Sequence, residues 1–221
     1  MAAIKVIDVN VGVTAENDRL AEQIRKRNLK NHTLLINMMA SPGAGKTTLI
    51  LKTAETLRKR FTIGVMEADI DAEVDAEKMA EAGLKVMQVH TGGECAMDAA
   101  MTGQALDAFD GDALDMIFLE NVGNLVCPAE QDTGASLNVE ILSIPEGDDK
   151  PLKYPLMFEI CDIIIVSKID TRAYFDFDDD AFCERTRRLN PDVKIFFLSA
   201  KTGDGMDEWI DALSCLAGRV L

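Results

Sequence analysis

Thr33-Leu34-Leu35-Ile36-Asn37-Met38-Met39, then Ala40-Ser41-Pro42-Gly43-Ala44-Gly45-Lys46-Thr47, then Thr48-Leu49-Ile50-Leu51-Lys52-Thr53-Ala54-Glu55-Thr56-Leu57 make three consecutive patterns. The first is an apolar strand-like run, the second a glycine-rich turn ending in Lys-Thr, and the third a helix-like run. Strand, glycine-rich turn and helix in this order form a phosphate-binding loop. Glycines let backbone N–H groups close around phosphate oxygens, and the following helix adds the positive end of its dipole. The loop residues Ser41, Gly43, Ala44 and Gly45, with Thr48 behind them, are therefore assigned to a bound nucleotide. Lys46 is assigned to the β- and γ-phosphates, and the Thr47 hydroxyl to Mg²⁺. Ala40 stands where the usual pattern has glycine. It closes the strand and adds only a methyl group, so tolerance is expected.

Working outward, similar runs recur at Thr62–Glu67, Leu84–Val89, Asp115–Leu119, Leu137–Leu142, Asp162–Val166 and Val193–Leu198, with helical patterns between them. Several are continuously apolar, as strands buried on both faces are. Alternating strands and helices predict an α/β fold of the P-loop NTPase kind. It is a three-layer α/β/α arrangement around a mostly parallel, doubly wound sheet, with ligands at the carboxyl ends of strands. Residues 1–30 are expected to form an N-terminal helical extension packed on a P-loop domain at 31–221. The stripe Leu20, Ala21, Ile24 and Leu29 marks its packing face. The acidic run Asp176–Asp180 is read as the start of a helix around Ala181–Leu189 rather than as a metal site.

The net charge is −15, which excludes general nucleic-acid binding because a phosphate backbone repels such a surface. A nucleotide needs only a local positive pocket. No apolar run approaches the ~20 residues that cross a bilayer, and no basic-then-apolar leader opens the sequence. A cytoplasmic location without membrane contact is the expectation. Five cysteines at 95, 127, 161, 183 and 215 lie far apart, an odd number that does not read as a disulfide framework. Metal binding and simple burial both remain open for them.

Two later segments select the base. Ser167-Lys168-Ile169-Asp170 follows a strand-like run and resembles the N-K-x-D guanine motif. Asp170 there accepts from the ring N1–H and the exocyclic amine, a pairing adenine does not offer. Lys168 lays its stem on the base. Serine replaces asparagine, so loss of a loop-tying amide is expected. Ser199-Ala200-Lys201 resembles the remaining guanine motif, whose backbone N–H meets the guanine carbonyl. On the hydrolytic side, Glu67-Ala68-Asp69 ends a strand, with Asp71 and Asp75 beyond it. Asp69 is favoured for Mg²⁺, then Asp75, since Mg²⁺ keeps several waters and takes few protein oxygens. Glu120-Asn121-Val122-Gly123 occupies the γ-phosphate sensor position, with Gly123 allowing the loop to rearrange.

The segments Glu120-Asn121-Val122-Gly123-Asn124-Leu125-Val126-Cys127-Pro128-Ala129-Glu130 and Glu146–Phe158 closely resemble the HypB family, the GTPases of hydrogenase nickel incorporation. The urease accessory GTPases are its sister family. The resemblance runs from about Leu20 onward. It implies a slow GTPase that dimerises with GTP and helps load Ni²⁺ into [NiFe]-hydrogenase, working with the hydrogenase large subunit and another maturation factor. It also implies that Cys95 and Cys127 hold Ni²⁺ or Zn²⁺, with the family's histidine replaced by Ala96. Two thiolates per chain are too few for a closed site, so four would converge across a two-fold axis. His90 is an alternative nitrogen ligand or a structural residue. Lys150 and Lys153 occupy the segment where the family places a lysine near the other subunit's nucleotide, and Lys153 is assigned to catalysis. The alternative function is a GTP-gated binding module that recruits a maturation factor without a metal site of its own. An ATP-dependent enzyme is the remaining alternative, since Ser167 weakens the guanine motif.

Overall fold

The computed structural model describes residues 10–69, 74–110 and 113–220. Asp71 and the first nine residues of the expected extension lie outside them. Seven strands form one sheet: β1 (Leu34–Ala40), β2 (Ile63–Asp69), β3 (Lys85–His90), β4 (Met116–Glu120), β5 (Leu137–Ser143), β6 (Ile163–Ser167) and β7 (Lys194–Phe197). Their spatial order is β3-β2-β4-β1-β5-β6-β7 and every pairing is parallel. The helices are α1 (Asn10–Lys30), α2 (Lys46–Leu57), α3 (Val74–Glu81), α4 (Ala99–Phe109), α5 (Cys127–Glu130), α6 (Lys150–Lys153), α7 (Pro155–Ile160), α8 (Asp179–Leu189) and α9 (Met206–Val220). All seven expected strand runs are strands, and the sheet is wholly rather than mostly parallel.

The centre is β1, buried along its whole length. Alternate residues of a strand face opposite ways. Thus Ile36, Met38 and Ala40 pack with Leu49 and Ile50 of α2 and Trp209 and Leu213 of α9. On the opposite face, Leu35 joins Ala21 and Ile24 of α1 and Leu106 of α4. Met39, also on that face, joins a separate cluster with Phe158 of α7 and Phe182 of α8. Trp209 is fully buried and its Nε1 donates to Thr53 Oγ1 of α2 at 2.9 Å. Asn37 lies between Leu35 and Met39; Asn138 is its register partner on β5, and Asn121 follows the end of β4. Asn121 Nδ2 donates to Asn37 Oδ1 at 3.0 Å, and Asn37 Nδ2 donates to Asn138 Oδ1 at 3.1 Å. This polar seam satisfies buried amides where the two apolar clusters meet.

Several local details differ from the sequence pattern. Leu29 is 65% exposed, while Asn28 is buried in its place. Five residues at 3.6 per turn carry Leu29 about 140° from Ile24, off the packing face. Helix α1 is held by more than its apolar stripe. Arg25 makes a two-pronged contact to Asp132 at 2.9 and 3.0 Å, and Asn17 Oδ1 accepts the first N–H of α4, that of Ala99. The acidic run begins α8 as expected: Asp178 Oδ1 accepts from Ala181 N–H, and Asp179 pairs with Arg172. Ala40 ends β1 without a left-handed backbone, so the methyl group is accommodated. No helix of the described residues is long and apolar enough to cross a membrane.

Candidate nucleotide and metal site

The carboxyl ends of β1, β2, β4, β6 and β7 surround one crevice, where the strand order reverses about β1. It has two chambers on either side of the loop Gly43–Lys46. Gly43 and Gly45 adopt φ values of +76° and +108°, which lets the loop fold back on itself. The first chamber, about 580 Å³, is lined by Gly43, Gly45, Lys46, Thr47, Thr48, Glu67, Asp69, Asp75, Glu120 and Gly123. The second, about 380 Å³, is lined by Ala44, Thr48, Lys168, Asp170, Ser199, Ala200 and Lys201. Residues assigned from separate motifs thus share one cleft of nucleotide dimensions. Ser41 lines neither chamber; its carbonyl accepts from Ala44 N–H at 3.2 Å and closes the turn.

The base-side chamber corrects one expectation. Ser167 does not lose the loop tie, because its hydroxyl donates to the Ala44 carbonyl at 2.7 Å, doing the work expected of an amide. Lys168, itself at φ +58°, sends its ammonium to the Gly43 carbonyl at 2.5 Å. Ser199 Oγ donates to Asp170 Oδ1 at 2.7 Å, which fixes the carboxylate in the chamber wall. The two guanine-like motifs are therefore joined to each other and to the phosphate loop.

The phosphate side holds more carboxylate than the motifs alone suggested. Thr47 Oγ1 donates to Glu120 Oε1 at 2.9 Å. Glu67, which lies opposite Glu120 in the β2–β4 register, is 4% exposed, as is Glu120. Burial pushes Glu120 up to about 7, with Lys46 and the Thr47 hydroxyl pulling the other way. Burial also pushes Glu67 up to about 7, partly offset by the Gln88 amide, with the charge of Glu120 adding to the rise. Glu67 Oε2 and Glu120 Oε2 are buried without a hydrogen-bond partner. Two orphaned carboxylate oxygens beside Thr47, Asp69 and Asp75 are a hard oxygen donor set that fits Mg²⁺ and its waters. Sequence reasoning passed over Glu67 in favour of Asp69; the signal was its place inside a continuously buried strand. Asp75 forms an ion pair with Lys78 at 2.8 Å. Gly123 lies so close to the loop that a Cβ there would meet Pro42 at 3.1–3.2 Å.

Cys95 and Cys127 meet within one chain, with Cα atoms 5.9 Å apart, and are joined as a disulfide. The expectation that no cysteines pair is corrected here. The residues are 32 apart in sequence, but the loops after β3 and β4 converge across the end of β2, the strand between them. Among the described residues no three His, Cys, Asp or Glu side chains are gathered closely enough to ligate a metal together, so the cysteines have no third ligand beside them and the carboxylates of the phosphate chamber would meet Mg²⁺ largely through its waters. His90 ends β3 exposed, and Ala96 is buried at 6% exposure. Cys161 is buried, Cys183 partly buried and Cys215 exposed, all as free thiols. Lys153 lies on α6 outside both chambers, paired with Asp149 at 2.5 Å. Lys150 stacks its ammonium over the Tyr154 ring.

A wholly parallel sheet with a phosphate loop at its switch point, flanked by a base chamber, defines a P-loop nucleotide-binding protein. Residues 34–197 match the family described as CobW/HypB/UreG, nucleotide-binding domain. The hydrogenase maturation factor HypB of Azotobacter chroococcum is 41% identical over 206 residues, spanning 93% of this chain and 68% of that protein. The crystal structure of HypB from Archaeoglobus fulgidus superimposes with a TM-score of 0.85 at 36% identity, covering 92% of this chain and 99% of that one. HypB from Helicobacter pylori, crystallised in complex with nickel, gives 0.87 at 36% identity, covering 92% and 96%. The chain belongs to the HypB family of hydrogenase maturation factors.

Proposed function

We propose that this protein is a GTP-hydrolysing switch that assists nickel insertion into [NiFe]-hydrogenase. The observation that carries it is the joined cleft: Asp170, held by Ser199, stands at one end and Lys46, Thr47 and Glu120 at the other. Guanine is read by Asp170, with Lys168 along the ring and the backbone at Ala200 and Lys201 beside its carbonyl. Lys46 and the loop N–H groups of Gly43, Ala44 and Gly45 hold the β- and γ-phosphates. Thr47, Asp69 and Asp75 hold Mg²⁺ directly or through water, with Glu67 and Glu120 behind them. Mg²⁺ held there would supply positive charge against the negative charge that develops on the phosphates. Thr47 then turns its hydroxyl oxygen away from Glu120, freeing that carboxylate to orient a water.

Two copies close when GTP is bound. Val126, Leu152 and Leu156 are exposed apolar side chains around α5, α6 and α7, and they supply the contact. The partner's Lys153 then reaches the phosphates and adds positive charge where negative charge develops. In the reduced protein, Cys95 and Cys127 of each copy provide thiolates for Ni²⁺ or Zn²⁺, four in the pair. The HypB neighbour in complex with nickel supports the metal. Hydrolysis relaxes the loops and passes nickel to a maturation factor or the hydrogenase large subunit, in the cytoplasm.

Calorimetric titration of GTP, ATP and XTP with magnesium tests the base reading. Asp170→Asn is expected to weaken GTP at least about 100-fold, as loss of a paired buried polar contact does, and XTP far less. Equal losses count against guanine. The second reading, a GTP-gated recruiter without its own metal, is favoured by the Cys95–Cys127 bond and by Ala96. Metal analysis of thiol-reduced protein in both nucleotide states separates them. Stoichiometric nickel lost in Cys95→Ala and Cys127→Ala supports the first reading, and negligible metal throughout supports the second.

A further inference from the structure

The run that follows β4 reaches back to the cysteine-bearing loop at two points. Asn124 Nδ2 donates to the Cys95 carbonyl at 2.5 Å. The same side chain's Oδ1 accepts from Val126 N–H at 3.0 Å and Cys127 N–H at 2.8 Å. One amide therefore grips the backbone at both cysteines. Three residues earlier, Asn121 Oδ1 accepts from Met97 N–H at 3.1 Å and from Val122 N–H at 2.9 Å. Its Nδ2 is anchored to Asn37 in the central strand. Asn121 is 1% exposed, so the second grip is rigid. Asn124 belongs to no nucleotide motif, whereas Asn121 sits in the sensor segment and lines the phosphate chamber.

We propose that Asn124, backed by Asn121, is the positioning residue that sets the relative placement of Cys95 and Cys127. Through it the metal affinity of the pair follows the nucleotide. This deepens the nickel reading above and rests on it for its metal consequence alone. The residue type follows from the geometry. An amide carries its donor and its acceptor on separate atoms, so one side chain both donates to the Cys95 carbonyl and accepts from the Cys127 N–H. A carboxylate of the same shape keeps the second contact and turns the first into repulsion between oxygens. The connection to nucleotide is short. Glu120, which accepts the Thr47 hydroxyl in the phosphate chamber, is bonded directly to Asn121. A shift of Glu120 when Thr47 changes partner moves the segment that carries both grips and Cys127.

The test uses the full chain with Asn124→Asp and, as a second variant, Asn124→Ala. Two readouts are taken. In the first, reduced protein is equilibrated with glutathione and its disulfide. Glutathione disulfide oxidises the two thiols to the Cys95–Cys127 bond and leaves as two glutathiones, the thiol protons passing to them. The bonded peptide is counted by mass, which gives the effective concentration of one cysteine at the other. In the second, Ni²⁺ is titrated into protein loaded with Mg²⁺ and either GDP or a non-hydrolysable GTP analogue, following thiolate-to-nickel absorption.

Asn124→Asp is expected to lower the effective concentration about tenfold or more. It is also expected to weaken nickel 10–100-fold, as loss of a support behind metal ligands does, with the ratio between nucleotide states moving toward one. Affinity for the GTP analogue stays within about threefold, since Asn124 lines neither chamber. An unchanged thiol–disulfide equilibrium in both variants overturns the proposal. If the parent chain takes up no nickel in either state while Asn124→Asp still loosens the cysteine pair, the metal reading fails and the positioning role stands.

Discussion

At the scale of single residues, the segments that line the cleft could be placed from the sequence because each is a run of neighbours whose chemistry is local. Lys46, Thr47, Lys168 and Asp170 needed only a strand before them to be placed. Ser167 was misread because its merit depends on Ala44, 123 residues away in sequence. Glu67, Asn121 and Asn124 were passed over for the same reason, since burial and cross-loop contacts set their importance. Ser199→Ala frees Asp170 from its one side-chain support and is expected to weaken GTP about fivefold, the worth of one net hydrogen bond. Calorimetry on that variant with unchanged GTP affinity would remove the support role. Gly123→Ala places a methyl group against the Pro42 backbone. GTP binding is expected to fall about 5- to 150-fold, because a core-like overpacking of about 1–3 kcal/mol is taken up by the phosphate loop. Glu140 makes a pH prediction. Its carboxyl is fully buried, and burial pushes its pKa well up, with Glu146 adding to the rise. The folded chain therefore keeps a proton that the unfolded chain releases above about 4.3. Stability is fullest below that value and declines as pH rises toward the folded pKa. Glu140→Gln removes the cost, so its Tm at pH 8 is expected to exceed the parent's by about 3 °C or more, with the gap closing near pH 4. A constant gap across that range contradicts the assignment.

At the scale of elements, strand periodicity and burial placed all seven strands, since a continuously apolar run between helical patterns has few other homes in a domain. The run of α1 was less legible. Apolar spacing identified Ala21 and Ile24 but also pointed to Leu29, which the turn of the helix carries into solvent. The ties that dock α1, Arg25 to Asp132 and Asn17 to Ala99, are polar and distant, so no stripe announces them. Gly134 allows the close fit, because a Cβ there would meet Ile24 at 2.7 Å and the Ala21 carbonyl at 2.9 Å. Ile24→Ala is expected to cost about 2–4 kcal/mol, the transfer and cavity cost of a buried aliphatic side chain. An unfolding free energy from urea titration lowered by less than a quarter of that would mean that α1 is anchored by its polar ties instead. The paired cysteines were illegible at this scale too. They sit on loops after different strands, and only the strand order brings those loops together.

At the scale of the molecule, each copy carries a formal charge of −15, so two copies brought together as proposed would repel. Added salt shortens the reach of that repulsion, to about 8 Å at physiological ionic strength. Dimerisation with a GTP analogue is therefore expected to strengthen several-fold between about 20 and 300 mM salt, opposite to an interface held by surface ion pairs. Molecular mass measured by light scattering across that range checks the sign. The single tryptophan has a consequence for such measurements. Trp209 donates from its indole to Thr53 on α2, the helix that the phosphate loop leads into. Its emission is an unlabelled optical gauge of how that helix sits. Rapid mixing with nucleotide then times the cleft's closure directly, and a silent signal on saturation means that α2 stays put while the loops do the moving.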